Sequence, residues 1–426
     1  MFRRRVLAAA AGSTTLGALA GCQDAFQTDA DATETRQTAV QEGVQASTVA
    51  YTYGEPTGNR VAPGTADLEA VERVSVGLAG TPAWVLGAAH PDGDGSKWVV
   101  ALEDGSLEAV RVVDGEATVA TVSPPSLPSG TPPAFDPVSN RVLVPPPGAS
   151  ELTHPTPTPA GTVVVRADGT LVVDGDAHAV DALPDARVAV GDDHAAVLAG
   201  ATSQYAHGAL GDDVEASRVA TISLPDGDVS TFPVADGVVE GTSPILADVT
   251  GDGRRDVVVT ESDADVGARV VAYDHDGTVL ARGPPVGSGY RWRHQLAVAP
   301  FHPDGVPEVA VVRTPHIGGT VEFYRRDGDR LRIAATADGY SSHALGSRNL
   351  DGARAFDADD DGHVELVVPT DDRLSLAVLS RTAGGVDLTG FLEAPGTFTG
   401  NLATATVAGA TSLGATTGSA LHVWPA

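Results

Sequence analysis

The sequence predicts an all-β body arranged as a β-propeller of about seven four-stranded blades, and three observations carry that prediction. Glycine (49) and proline (29) are frequent in the 426 residues, and no long amphipathic helix is evident beyond the apolar N-terminus, a composition that favours sheets joined by tight turns. Short β-branched runs such as Val257-Val258-Val259 and Leu366-Val367-Val368 are apolar at consecutive positions, as strands buried on both faces must be. Asp-Gly pairs recur between such runs, at Asp168-Gly169, Asp226-Gly227, Asp276-Gly277 and Asp327-Gly328, and an Asp-Gly flanked by strands is a strong hairpin signal. A pair of β-sandwiches would instead need alternating in-out patterning along each strand.

The chain opens with Arg3-Arg4-Arg5, an apolar stretch from Val6 to Leu19, and then Leu19-Ala20-Gly21-Cys22. The stretch is too short to span a bilayer comfortably and reads as an export signal. Its arginines followed by Val6-Leu7 resemble a twin-arginine signal, and Leu-Ala-Gly-Cys resembles a lipoprotein cleavage box whose cysteine is lipidated. Cys22 is the only cysteine, so no disulfide forms within the chain. Residues 1–22 are thus expected to be a lipoprotein signal, residues 23–60 a disordered acidic tether, and residues 61–426 the propeller. The tether has too few large apolar residues to offset the entropy of ordering it. The implied location is outside the cell, on the membrane, held by the lipid alone.

Charge narrows the partners. With 56 acidic against 27 basic residues the formal charge is −29, and Lys97 is the only lysine. Nucleic acid and anionic membrane surfaces would repel such a chain. The balance resembles that of proteins from salt-loving organisms, haloarchaea among them, where ionic strength screens self-repulsion.

Seven units follow, near 80–128, 130–180, 183–238, 240–287, 290–340, 343–393 and 396–426, although six or eight blades also fit the spacing. The last unit is short, and a strand from between Ala66 and Val76 is expected to complete it, closing the ring from the other end of the chain.

Two acidic loops set the register. Asp248, Thr250, Asp252, Arg254 and Asp256 in one, and Asp357, Asp359, Asp361, His363 and Glu365 in the other, occupy loop positions 1, 3, 5, 7 and 9, with Gly253 and Gly362 at position 6. A hard cation such as calcium takes six to eight oxygens, and a glycine allows the sharp turn that aims alternate side chains inward. Position 7 contributes its backbone carbonyl. The EF-hand shares this opening but needs a glutamate at position 12, where Val259 and Val368 stand, and flanking helices instead of the strands seen here. The pattern resembles the FG-GAP/VCBS repeats of integrin-like propellers, in which such a loop joins the first two strands of a blade. The resemblance covers roughly residues 240–390 and implies two calcium ions with a structural, blade-bracing role. Worn copies occur at Pro300, His302, Asp304 and Glu308, and at His90, Asp92, Asp94 and Trp98.

The same register assigns residues to the opposite rim. Tyr205, His207, Arg291, His294, His316, His343 and Arg348 are expected there, in segments that also carry Tyr290, Trp292 and Ser342. Arginine offers a charge-assisted fork and aromatics offer faces, which suits an anionic or sugar-like ligand. A transition-metal site from His207, His294, His316 and His343 lacks any local H-x-H or H-x-x-x-H spacing. No nucleophile elbow, phosphate loop, H-E-x-x-H or dinucleotide fingerprint is apparent. The expected function is binding of an extracellular ligand or protein, with a lyase or hydrolase using the His/Tyr/Arg rim as the alternative.

Overall fold

The computed structural model describes residues 49–55, 58–205, 207–208, 210–224 and 226–426. The export signal, Cys22 and residues 23–48 of the expected tether lie outside the described residues.

Seven four-stranded antiparallel sheets succeed one another along the chain. Blade 1 runs Pro82–Ala89, Ser96–Leu102, Leu107–Val113 and Glu116–Ala120, and blade 2 runs Thr156–Thr158, Gly161–Val165, Thr170–Val173 and Asp176–Ala179. Blades 3 and 4 occupy Ala189–Val190 to Val229–Pro233 and Ile245–Ala247 to Val279–Arg282. Blade 5 comprises Arg293–Ala299, Glu308–Arg313, Thr320–Asp327 and Arg330–Asp338, and blade 6 Arg354–Asp357, Glu365–Pro369, Ser375–Thr382 and Gly385–Glu393. Blade 7 takes Ala403–Val407, Ala410–Thr417 and Ala420–Trp424, and its fourth strand is Val74–Gly77 from the start of the chain, paired antiparallel with Ala420–Trp424. The expected closing strand is therefore present, and the seven units hold.

Burial explains why these runs are apolar on both faces. Val257, Val258, Val259, Leu366, Val367 and Val368 are fully buried. Successive sheets stack face to face, with blades 4 and 5 sharing one cluster, 5 and 6 a second and 6 and 7 a third. Between blades 7 and 1, Trp98 is fully buried and its indole Nε1 donates to Ser96 Oγ at 2.9 Å. A Cβ on Gly414 would lie 2.2 Å from that indole ring, so only glycine fits there. This packing is the physical reason that blade 1 carries tryptophan where the loop pattern has its last acid.

Two findings depart from the sequence reading. The unit at 130–180 holds, before blade 2, a small sheet of Ala134–Asp136, Arg141–Val142 and Ala50–Tyr51. Residues 49–55 and 58–60, expected in the tether, are part of the folded body. Tyr53 N donates to Asp351 Oδ2 at 2.9 Å, the Arg60 guanidinium to Gln295 O and Ser243 O at 3.0 Å each, and Leu246 N to Gly58 O at 3.1 Å. Val61–Thr65 then lies parallel to the first strand of blade 6. The first strands of the blades neighbour one another around the centre, and this N-terminal segment crosses them. A polar segment folds here because its donors find carbonyls on several blades at once.

Candidate functional site

The loop of blade 6 joins that blade's first two strands, as expected. Asp357 accepts from the backbone N–H of Asp361 (3.2 Å) and Gly362 (3.0 Å), Asp361 Oδ1 from His363 N at 2.8 Å, and Glu365 Oε2 from Ala358 N at 2.8 Å. Gly362 has φ 88°, the left-handed conformation that turns the chain back on itself. Ligand oxygens of Asp357, Asp359, Asp361 and Glu365 lie within 4.8 Å of one another. Asp359 Oδ1 is buried with no hydrogen-bond partner. Burial and the three neighbouring aspartates push Glu365 up to about 8 and raise Asp359 as well. Four carboxylates converging without a cation are an electrostatic liability that a hard cation would relieve, and the all-oxygen donor set fits calcium.

The loop of blade 4 is arranged differently. Asp248 accepts from Gly251 N at 2.6 Å and Gly253 N at 2.8 Å, and the Thr250 hydroxyl donates to it at 3.3 Å. Asp256 Oδ2 accepts from Val249 N at 2.9 Å and Thr250 N at 3.1 Å. Burial pushes Asp256 up to about 6, those hydrogen bonds opposing it. With threonine at position 3, Asp248, Asp252 and Asp256 do not form a converged group, so the two loops are not equivalent. The Arg254 side chain turns away to His275, 2.7 Å from its Nδ1.

The worn copies carry guanidinium groups. In blade 5 Arg325 spans Asp304 (2.7 Å) and Glu308 (3.0 Å), and Arg381 from blade 6 grips Glu308 at 2.9 and 3.0 Å. Backbone hydrogen bonding and Arg325 hold Asp304 down at about 2. In blade 1 His90, Asp92 and Asp94 converge, and Arg111 pairs with Asp94.

On the rim, five of the seven expected residues come together. His316 Nε2 and His343 Nε2 are 2.9 Å apart, and the His294 and His343 rings are 5.2 Å apart. Trp292 stands 5.1 Å from each of the latter two rings. Ser342 Oγ joins His294 Nδ1 (2.8 Å) to His343 Nδ1 (2.9 Å). Tyr290 stacks on His207 at 5.5 Å and tilts against Tyr205 at 5.2 Å. His207 Nδ1 meets the buried Glu240 carboxylate, which also accepts from the Ser262 hydroxyl. Burial lowers His294, His343 and His316, so these imidazoles are neutral near neutral pH. Trp292 Nε1 is buried without a hydrogen-bond partner, and the Tyr205 hydroxyl lies beside Ser262.

Two expected members differ. Arg348 is not part of this group: its guanidinium is engaged by Asp185 at 3.1 Å and by Asp212. Arg291 is exposed at the edge. Glu240 escaped the sequence reading because it follows Val238-Val239 with no motif around it, and the only available signal was an acid ending an apolar pair.

The FG-GAP-like repeat family matches residues 248–311, from the first aspartate of the blade 4 loop into the second strand of blade 5. No curated protein matches this chain. Among the solved structures that align are two crystal structures of BBS1N in complex with ARL6DN. One, soaked with mercury, is 14% identical with TM-score 0.44 and covers 83% of this chain and 97% of that one. The other, soaked with lead, is 13% identical with TM-score 0.44 and covers 83% and 95%. The ring of four-stranded sheets, closed by Val74–Gly77, makes the chain a propeller, and residues 248–311 within it match an FG-GAP-like repeat.

Proposed function

We propose that this chain is an exported, lipid-anchored propeller, braced by calcium, whose histidine-rich rim binds a neutral, hydroxyl-rich extracellular ligand such as a glycan. The observation that carries the reading is the rim cluster, where neutral imidazoles and aromatic faces surround a buried donor, Trp292 Nε1, that has no partner. Sugar hydroxyls would satisfy such a donor, and sugar faces stack on aromatics. An anion is a poorer match, because the imidazoles are uncharged and Arg348 is occupied by carboxylates. Calcium fits the blade 6 loop best, and export with lipidation rests on the N-terminal signal and Cys22.

The test is calorimetric titration of neutral against sulfated and uronic oligosaccharides. Neutral ligands are expected to bind, and Tyr290→Ala and His316→Ala to weaken them by about 1–3 kcal/mol each, the range for a stacking face or an unmet buried donor. Preference for the anionic set, or binding untouched by both changes, would sink the reading. Turnover is a second reading, favoured by the buried Glu240 that orients His207 beside Tyr205. Product formed from a bound glycan and lost in His207→Ala would establish it.

A further inference from the structure

We infer that His316 and His343 form the two-nitrogen anchor of an open divalent transition-metal site on the rim. Their Nε2 atoms face each other at 2.9 Å, with ring centroids 4.5 Å apart and planes at 83°. Metal–nitrogen bonds of about 2.0–2.1 Å place two cis imidazole nitrogens about 2.9–3.4 Å apart for bond angles between square and tetrahedral. The pair is thus already at chelating separation, although the sequence spacing of 27 residues gave no local motif.

The surroundings hold both rings in place. His316 sits on the loop after the second strand of blade 5 and His343 on the segment leading into blade 6, and Ser341 Oγ ties the two by donating to Pro315 O at 2.9 Å. Ser342 Oγ contacts Nδ1 of both His343 and His294, and a hydroxyl has one hydrogen to give. If Ser342 donates to His294, His343 must carry its proton on Nδ1, which bares the Nε2 lone pair toward His316. That is the outer-shell arrangement that fixes the tautomer of a metal-bound histidine.

Among the described residues no third imidazole, carboxylate or thiolate belongs to this cluster. Two nitrogens leave positions for water and for an exchangeable ligand, which marks an open site and not a closed structural one. The rival arrangement is a plain hydrogen bond between the two rings, with a proton on one Nε2.

The experiment is a cobalt(II) titration of the full chain saturated with calcium, read by visible absorption, with zinc competition. A band of four-coordinate cobalt, displaced by zinc, is expected. His316→Ala and His343→Ala should weaken it by at least about tenfold, the size of even an outer-shell loss, while His90→Ala in the blade 1 loop should leave it unchanged. His316 is half-exposed on a loop, so that variant keeps its melting curve and the result remains readable if His343→Ala does not fold. No band, or a band indifferent to His316→Ala, means a hydrogen-bonded pair only and overturns the inference. The inference shares the rim with the proposed ligand site but stands apart from it: glycan titration in chelator reports the one, and cobalt absorption without glycan the other.

Discussion

The loops of blades 5 and 6 occupy the same place between first and second strands, yet only the blade 5 loop meets its carboxylates with guanidinium groups of the chain itself. In blade 5 the residue paired across the sheet from Glu308 is Arg325, whose guanidinium reaches both Glu308 and Asp304. In blade 6 the corresponding neighbour of Glu365 is Ser380, which offers only a hydroxyl at 3.4 Å. Blade 6 has kept four converging carboxylates and, among the described residues, no ion pair to them. Blade 5 has proline and histidine at positions 1 and 3 and keeps two acids, both paired with arginine. Internal guanidinium groups thus stand where the proposed calcium would act, and the cross-strand position opposite the last acid, Arg325 in blade 5 and Ser380 in blade 6, marks the difference.

The largest expected effect lies on the arginine side. Arg381 and Glu308 are both buried and joined by two charge-assisted hydrogen bonds. Removing one partner of a buried pair costs about 3–5 kcal/mol, here the upper bound, because Arg325 still reaches Glu308 at 3.0 Å. Arg381→Met should therefore lower the urea midpoint strongly, by the same amount with calcium or with chelator. A loss that calcium restores would place a metal in blade 5 and break the comparison.

The next effect concerns blade 6. A ligand present at a hundred times its dissociation constant stabilises the folded state by about 2.7 kcal/mol. Calcium should raise the melting temperature of the parent chain, and Asp361→Ala should remove the part of that rise contributed by blade 6. Ser380→Arg sharpens the point, since it installs the blade 5 solution opposite Glu365 and should abolish the blade 6 response without loss of fold. The blade 4 loop, with Thr250 at position 3, should contribute less than blade 6. Undiminished calcium response in both variants would refute the substitution of guanidinium for metal.

The sequence carried this comparison only in part. The loop positions and strand rhythm placed all seven sheets and the closing strand Val74–Gly77, because Asp-Gly turns and doubly buried valine runs are local patterns. The register put the segments of His294, His316 and His343 on one side of their blades, and contact among those three rings was legible to that extent. What pairs across blades was not. Arg381 reaches Glu308 over 73 residues of chain, Arg348 reaches Asp185 over 163, and Arg60 reaches Gln295 over 235. Such contacts depend on how sheets are stacked, and no periodicity encodes them. The misread tether has the same origin, because Tyr53 and Arg60 are held by a carboxylate and by carbonyls that other blades supply.

The smallest effect is a proton. Burial first, and then the three loop aspartates, raise Glu365 from its ordinary value of 4.5 to about 8. The folded loop therefore holds a proton that the unfolded chain has released, so this contribution to stability is fully present below pH 4.5 and is lost as pH rises through about 8. Without calcium the chain should lose stability across that window. A metal binds the ionised carboxylate and must displace the proton, so calcium binding near pH 7 should release close to one proton from this loop. Calorimetry in two buffers of different ionisation enthalpy reads that proton directly. Glu365→Gln should make the heat independent of buffer, whereas Glu308→Gln in the arginine-filled loop should leave the release unchanged. Buffer-independent heat in the parent chain would mean that Glu365 is already ionised and that the charge in blade 6 is compensated by something other than a proton.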